Sequence, residues 1–194
     1  MSLRVGGGAA VLGGLLWPLG IVIGSQGVAW AGLGMAVHIG GTVALLIALM
    51  GLSAFQARQY PVLAWAAFLL PAIGAAISIV GTVAMATMGD RPLVANVSGW
   101  SVWMIGILAT LLGSVLFGLV SYRVQRVSRR GATILTLGSM LALLTLALGA
   151  TGLIGESIGG PLVAVAVLGF AGGWIAMGLD ALRVDRPAVG PQSA

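Results

Sequence analysis

Six long apolar runs, almost free of charged residues, constrain what this chain can fold into. They cover residues 5–24, 30–54, 61–88, 100–121, 132–153 and 160–179, and polar links separate them. A helix of about 20 apolar residues is long enough to cross the hydrocarbon core of a bilayer. Inside that core the backbone groups must be satisfied within the segment, which favours helices. The sequence therefore predicts an all-α integral membrane protein, a bundle of six transmembrane helices.

The composition supports this prediction. Charged residues make up 7% of the 194 residues, and the mean hydropathy is +1.13, whereas a soluble domain carries about 25% charged residues. We expect a single transmembrane domain over residues 1–182 and a disordered cytoplasmic tail over residues 183–194. An alternative for the first run is a signal peptide cleaved at Ala29-Trp30-Ala31, but the length of the run favours a retained helix.

The arginines predict the orientation of the helices. Four of them, Arg123, Arg126, Arg129 and Arg130, lie in the link between the fourth and fifth runs. Short links that are rich in arginine stay on the cytoplasmic side of a membrane. Counting crossings from this link places both termini and eight of the nine arginines in the cytoplasm and leaves Arg91 outside. We expect the protein in the plasma membrane of a cell, specifically the inner (cytoplasmic) membrane of a bacterium.

The same arginines predict a lipid contact. Arg123, Arg126 and Arg130 would share one face if the fourth helix continues into the cytoplasm, and Arg129 lies beside them. These side chains are expected to contact anionic lipid head groups or an acidic partner. Since the net charge of +5 comes from arginine alone in a membrane protein, it indicates topology and not binding to nucleic acid.

His38, the single histidine, lies about two helical turns inside the second run from its outer end. An ionisable residue at membrane depth is a candidate functional group. Three roles are open: a neutral imidazole bonded to a serine or threonine of a neighbouring helix, a relay or solute contact, and a haem or metal ligand. Cysteine is absent and no acidic residue lies nearby in sequence, so no metal site is predicted, and the haem alternative depends on His38 alone.

Two prolines inside the runs predict breaks in helical hydrogen bonding. Pro18 frees the carbonyl of Gly14, and Pro71 frees the carbonyl of Ala67. Such carbonyls can coordinate ions or solutes, although a nearby hydroxyl more often satisfies them. Gly-x-x-x-Gly spacings at residues 20/24, 155/159 and 169/173 predict close packing of helices, within the bundle or against another copy.

The outer links carry the remaining polar and interfacial side chains. The outer polar set consists of Asp90, Arg91, Asn96, Ser98 and Glu156. These side chains either line an entrance for a small solute or are loop residues in contact with water. Tryptophans are enriched where a helix leaves the hydrocarbon core. We therefore expect Trp30, Trp100 and Trp103 at the outer membrane interface.

The sequence carries no nucleotide-binding loop, no metal-ligand spacing, no nucleophile elbow and no paired carboxylates at membrane depth. The leading hypothesis is therefore a non-catalytic accessory or scaffold subunit of a larger membrane complex or homo-oligomer. The alternative is a facilitator or carrier for a small, apolar solute with a path near His38. A second alternative is a haem-binding redox subunit. The expected partners are the bilayer, anionic head groups, and other membrane subunits or a second copy.

Overall fold

The computed structural model describes residues 2–89, 91–124, 128–153 and 155–184, without the side chain of Glu156. Within these ranges the chain forms six helices that are long and apolar enough to cross a membrane. They are α1 (Leu3–Gly24), α2 (Val28–Ala57), α3 (Pro61–Met88), α4 (Gly99–Val124), α5 (Arg129–Ala150) and α6 (Glu156–Val184). Two short strands, β1 (Pro92–Val94) and β2 (Val97–Ser98), pair antiparallel between α3 and α4. The predicted all-α, multi-pass architecture is confirmed.

Local signals set where the helices begin. The hydroxyl of Ser2 accepts a hydrogen bond from the backbone N–H of Val5, at 3.4 Å, and caps α1. The hydroxyl of Ser128 accepts one from the N–H of Gly131, at 2.9 Å, and caps α5. Helix α5 consequently begins at Arg129, three residues before the predicted span. Pro61 occupies the first turn of α3, where its missing N–H removes no helical bond.

Helix α6 differs from the sequence-based expectation at both ends. It begins at Glu156 and not at residue 160, so that Pro161 lies inside the helix. It continues to Val184 and thus includes Arg183, the first basic residue of the predicted tail. Residues 185–194, the rest of that tail, lie outside the described residues.

The helices are arranged as three antiparallel hairpins around a common centre. The most extensive packing occurs within the pairs α1–α2, α3–α4 and α5–α6, and smaller interfaces join one hairpin to the next. Helix α1 also packs against α6, which closes the ring. The start of α1, the end of α6, the α2–α3 link and the adjacent ends of α4 and α5 therefore lie at one end of the bundle, here called the termini end. The other three links lie at the opposite, far end.

Close packing within the hairpins uses glycine. A side chain added at Gly20 would lie 2.7 Å from the carbonyl oxygen of Gly34 on α2, and one added at Gly169 would lie 3.0 Å from Cα of Gly138 on α5. Helix backbones approach this closely only where a side chain is missing. The Gly-x-x-x-Gly spacings at residues 20/24 and 169/173 thus contribute to contacts between helices of this chain.

A column of aromatic rings runs through the centre of the bundle from the far half to the termini half. Successive ring centroids are 6.3, 5.3, 5.0, 6.4 and 5.6 Å apart, within the range of aromatic contacts. In this order the rings are those of Trp103, His38, Trp17, Phe170, Trp174 and Phe117. The column ties α1, α2, α4 and α6 together.

Candidate functional site

The far half of the bundle contains three adjoining cavities, which together are called the chamber. The first, the histidine cavity, has a volume of about 230 Å³ and lies among α1, α2, α3 and α4. The side chains that line it include Met35, His38, Thr82, Met85 and Trp103. Its polar groups are thus one imidazole, one indole and one hydroxyl.

The second, the middle cavity, has a volume of about 170 Å³ and an almost wholly apolar lining. Trp17, Ala142, Ala166 and Phe170 contribute to its wall, and Thr145 is the polar residue in it. Ile21 and Trp103 line both this cavity and the histidine cavity, so the two adjoin.

The third, the lateral cavity, has a volume of about 960 Å³ and lies between α4, α5 and α6. Thr145, Leu146 and Val163 line both it and the middle cavity. Its outer wall includes Leu108 and Gly160, which are exposed on the side of the bundle. The three adjoining cavities therefore span the distance from His38 to the side of the bundle.

His38 is held at the head of the chamber by two tryptophans. It is 5% exposed; its Nδ1 lies 3.4 Å from the backbone carbonyl oxygen of Trp17, and its Nε2 lies 3.5 Å from Nε1 of Trp103. In the tautomer that satisfies both contacts, Nδ1–H donates to Trp17 and Nε2 accepts from the Trp103 indole. Both distances exceed the usual 2.7–3.2 Å, so both bonds are weak.

These contacts modify the expectations for His38 and Trp103. The imidazole of His38 contacts the backbone carbonyl of Trp17 and the indole of Trp103. One of the roles considered from the sequence had a serine or threonine as its partner. Trp103 turns towards the interior, whereas Trp100 is 57% exposed as expected of an interfacial residue. A signal for this was present: Trp103 lies three residues before the buried Gly106 and seven before the buried Thr110, on the same helix face.

Sequence reasoning missed most of the chamber wall. Met35 lies one turn before His38 on α2, and Thr82 and Met85 are on α3. Ala142 and Ala166 in the middle cavity are ordinary apolar residues of α5 and α6. Apolar side chains are expected anywhere in a transmembrane helix, and therefore nothing in their spacing indicates a cavity.

The predicted helix breaks lie elsewhere. Pro71 is fully buried and packs against Gly113 of α4, and a side chain added at Gly14 would lie 2.9 Å from the carbonyl oxygen of Ala171 on α6. Gly14, Pro18, Ala67 and Pro71 are not among the residues that line the chamber. A coordinating role for the freed carbonyls stays a prediction.

The termini half holds a small polar cluster. The side-chain amide of Gln56 donates to the hydroxyl of Ser121, at 2.7 Å, between α2 and α4, and Gln56 is 1% exposed. Within the described residues the carbonyl oxygen of this amide has no partner, and neither does the hydroxyl of Ser53 one turn earlier. Such a cluster ties two helices together at the cost of buried polar atoms.

The arginines lie at the termini end. Arg123, Arg129 and Arg130 are exposed, and the guanidinium carbon of Arg129 lies 5.6 Å from the ring centroid of Tyr122, a cation–π distance. Arg126 lies outside the described residues. The exposed guanidinium groups thus lie at the adjacent ends of α4 and α5.

The structure describes the side chains of three members of the outer polar set, Arg91, Asn96 and Ser98, and none of them lines the chamber. The hydroxyl of Ser98 accepts from the backbone N–H of Ser101, at 3.2 Å, in the first turn of α4, so it acts as a helix cap. Arg91 is exposed, while Asp90 and the side chain of Glu156 lie outside the described residues. The described residues bring no three His, Cys, Asp or Glu side chains together as a metal site.

No model of a protein family, no curated protein and no solved structure matches this chain. The inference of function therefore depends on the chamber, which offers binding surface and a few hydrogen-bonding groups.

Proposed function

We propose that the protein is a non-enzymatic multi-pass membrane protein that binds a small, mainly apolar molecule in the chamber and carries it across the membrane. The observation that supports this is that the three cavities adjoin one another in the far half. The interior of the termini half is filled by large buried side chains such as Phe117 and Trp174. A chamber open on one side and closed on the other is the arrangement expected of a carrier in one of its two states.

The proposed orientation places the termini end in the cytoplasm, so that the chamber opens towards the outer leaflet. Arg4, Arg58, Arg123, Arg130 and Arg183 all belong to the termini end, whereas Arg91 belongs to the far end. Arginine-rich links stay in the cytoplasm during insertion. A bacterial cytoplasmic membrane is the proposed location.

Orientation can be tested directly because the chain contains no cysteine. Ser25→Cys at the far end and Tyr60→Cys at the termini end are both exposed positions. A membrane-impermeant maleimide applied to intact cells should label Ser25→Cys alone, and permeabilised cells should show both. Labelling of Tyr60→Cys in intact cells would reverse the proposed orientation.

Binding can be tested with a fluorescent apolar probe and the purified protein. Ala142→Phe places a ring in the middle cavity, so we expect probe affinity to fall at least tenfold. Ala76→Phe is the matched control, since Ala76 is exposed on α3 and lines none of the three cavities. Equal affinities for both variants would refute binding in the chamber. Transport of the probe into proteoliposomes, with and without Ala142→Phe, then tests the carrier role.

The second candidate is the accessory subunit, and one surface favours it. Gly32, Ala36 and Gly40, spaced four apart on α2, are all exposed, and a side chain added at either glycine would meet nothing within 4 Å. A row of small residues on a lipid-facing helix favours packing against another helix. Native mass spectrometry from the cell's own membranes separates the two: fixed additional subunits favour the accessory role, and a lone chain with a retained small molecule favours the carrier.

A haem role gains no support from the geometry at His38. Both ring nitrogens already have contacts, and the adjoining cavity of about 230 Å³ is smaller than the ~300–1,000 Å³ of typical ligand pockets. A Soret band in the purified protein that disappears in His38→Ala would restore the haem hypothesis.

A further inference from the structure

We infer that the molecule bound in the chamber is a single-chain lipid with an uncharged hydroxyl head, which enters sideways from the bilayer through the lateral cavity. This inference depends on the proposed binding function and names its substrate class. It follows from the route, the width of the chamber and the hydrogen-bonding groups at its end.

The route leads to the hydrocarbon region. The lateral cavity lies between α4, α5 and α6 and reaches exposed positions on helices that can span a membrane, such as Leu108 and Val163. In the termini half α4 and α5 are in contact where Gly118 meets Thr136. Towards the far end the cavity separates them. An amphiphile already in the bilayer can therefore reach the chamber without passing through water.

The middle cavity restricts what can lie in it. Its volume is about 170 Å³, and its wall is apolar apart from Thr145, whose hydroxyl donates to the carbonyl oxygen of Leu141 at 2.8 Å. A polar solute would lose its water here without gaining partners. One hydrocarbon chain fits this lining, and the methyl end of that chain can remain in the larger lateral cavity.

The histidine cavity specifies the head of the lipid. Nε2 of His38 and Nε1–H of Trp103 lie 3.5 Å apart and face the same cavity. One is an acceptor and the other a donor in the tautomer that bonds Trp17. A hydroxyl can donate to Nε2 and accept from Nε1–H at once, replacing one long bond with two of ordinary length. A ketone or ether can use only the indole.

Charge excludes the common ionic heads. No Asp, Glu, Lys or Arg is among the described residues that line the three cavities. A carboxylate, phosphate or ammonium group bound beside His38 would find no counter-ion among these side chains, which is unfavourable at membrane depth. A neutral hydroxyl group carries no charge and needs no counter-ion.

Three ligands of equal chain length test the head group: hexadecan-1-ol, hexadecanoate at a pH that ionises it, and hexadecane. Each competes with the apolar probe on the purified full-length protein. We expect the alcohol to bind about tenfold more tightly than either of the others, since it gains two hydrogen bonds. In His38→Leu the alcohol should lose this advantage while hexadecane binds as before. An ionised carboxylate that binds as well as the alcohol, or an advantage that survives His38→Leu, would overturn the inference.

A second pair of variants tests the route. Val163→Trp places a ring where the lateral and middle cavities adjoin, and Leu144→Trp places one on an exposed face of α5. Uptake of the alcohol from vesicles should slow at least tenfold in Val163→Trp and stay unchanged in Leu144→Trp. Equal uptake rates would overturn lateral entry.

The two proposals fail in different ways. If the apolar probe binds in the chamber but the alcohol shows no preference, the substrate class is wrong and the binding function stands. If the probe itself does not bind, or binds equally well after Ala142→Phe, the binding function is wrong and the substrate inference falls with it.

Discussion

The two halves of this bundle use the same helices in different ways. In the termini half the helices enclose large side chains completely, with Leu52, Phe117 and Leu135 each at 0% exposure. In the far half they enclose the chamber. Helix α6 shows the contrast by itself: Phe170, Trp174 and Met177 are buried, whereas none of its described residues from 157 to 165 is.

The difference comes mainly from the α5–α6 hairpin. At the far end α3 and α4 remain in contact, since a side chain added at Gly99 would lie 2.8 Å from the backbone nitrogen of Met85. Side chains added at Gly149, Gly155 and Gly160 of the α5–α6 region would meet nothing within 4 Å. Glycine alone therefore does not bring helices together; a facing partner at the matching level is also needed. A tightly packed half can hold the helices in register while the other half leaves space for a ligand.

The largest effect should come from removing a buried side chain in the termini half. Leu135→Ala deletes a side chain with 0% exposure and should lower the free energy of unfolding by about 3 kcal/mol. Leu146→Ala is the matched change in the chamber, where the side chain already borders two cavities, and should cost less than ~1 kcal/mol. Thermal unfolding of both variants in one detergent measures the two losses in stability. Similar losses in free energy of unfolding would mean that the two halves are equally packed.

Two adjacent glycines of α1 offer a test of the contact between α1 and α6 that closes the ring of helices. A side chain at Gly7 would lie 2.8 Å from the carbonyl oxygen of Gly178 on α6, and one at Gly8 would meet nothing within 4 Å. Gly7→Leu should therefore destabilise the protein by about 2 kcal/mol, while Gly8→Leu should have little effect or stabilise α1 slightly. The midpoint of thermal unfolding compares them. A loss in Gly8→Leu as large as in Gly7→Leu would argue against the α1–α6 contact.

The sequence predicted the parts of the fold that depend on each helix alone. Uninterrupted apolar runs located every helix, and Pro61 marked the start of α3. Helix α6 begins before the predicted span because Pro161 suggested a first turn, although the helix had already begun. Helix length follows from local composition, but a single proline does not fix a helix start.

The candidate site was predictable only at His38. An imidazole at membrane depth is conspicuous in any sequence, whereas its partner Trp103 is 65 residues away on another helix. The cavities depend on how far α5 and α6 diverge from α4, which is a property of packing between helices. No local pattern of apolar residues encodes that separation, so the middle and lateral cavities could not be predicted.

A smaller effect is expected at the polar contact between α2 and α4. Gln56→Ala removes the hydrogen bond to Ser121 and leaves a cavity, and should destabilise by about 1.5 kcal/mol. Gln56→Met combined with Ser121→Ala keeps most of the volume and removes both hydrogen-bonding partners, together with the unpaired amide oxygen, so it should be nearly neutral. The same thermal measurement separates the two variants. If the double variant is as damaging as Gln56→Ala, the hydrogen bond and not the packing holds these helices together.

The smallest effect should distinguish the two ends of the bundle by their lipids. Arg130 is exposed at the termini end and Arg91 at the far end. Near an anionic surface each arginine contributes about 1 kcal/mol to lipid binding, so Arg130→Gln should weaken binding of phosphatidylglycerol about fivefold.

Arg91→Gln provides the comparison, because an isolated arginine at the far end has no neighbouring arginine among the described residues to share a head group with. Lipid retention is measured by native mass spectrometry at low and high salt. At low salt it should fall for Arg130→Gln alone. At high salt the two variants and the unmodified protein should retain equal amounts of lipid, because screening removes the attraction. Equal losses at both ends would mean that anionic lipid binding follows charge in general. A loss confined to Arg130→Gln would support binding of anionic head groups at the termini end.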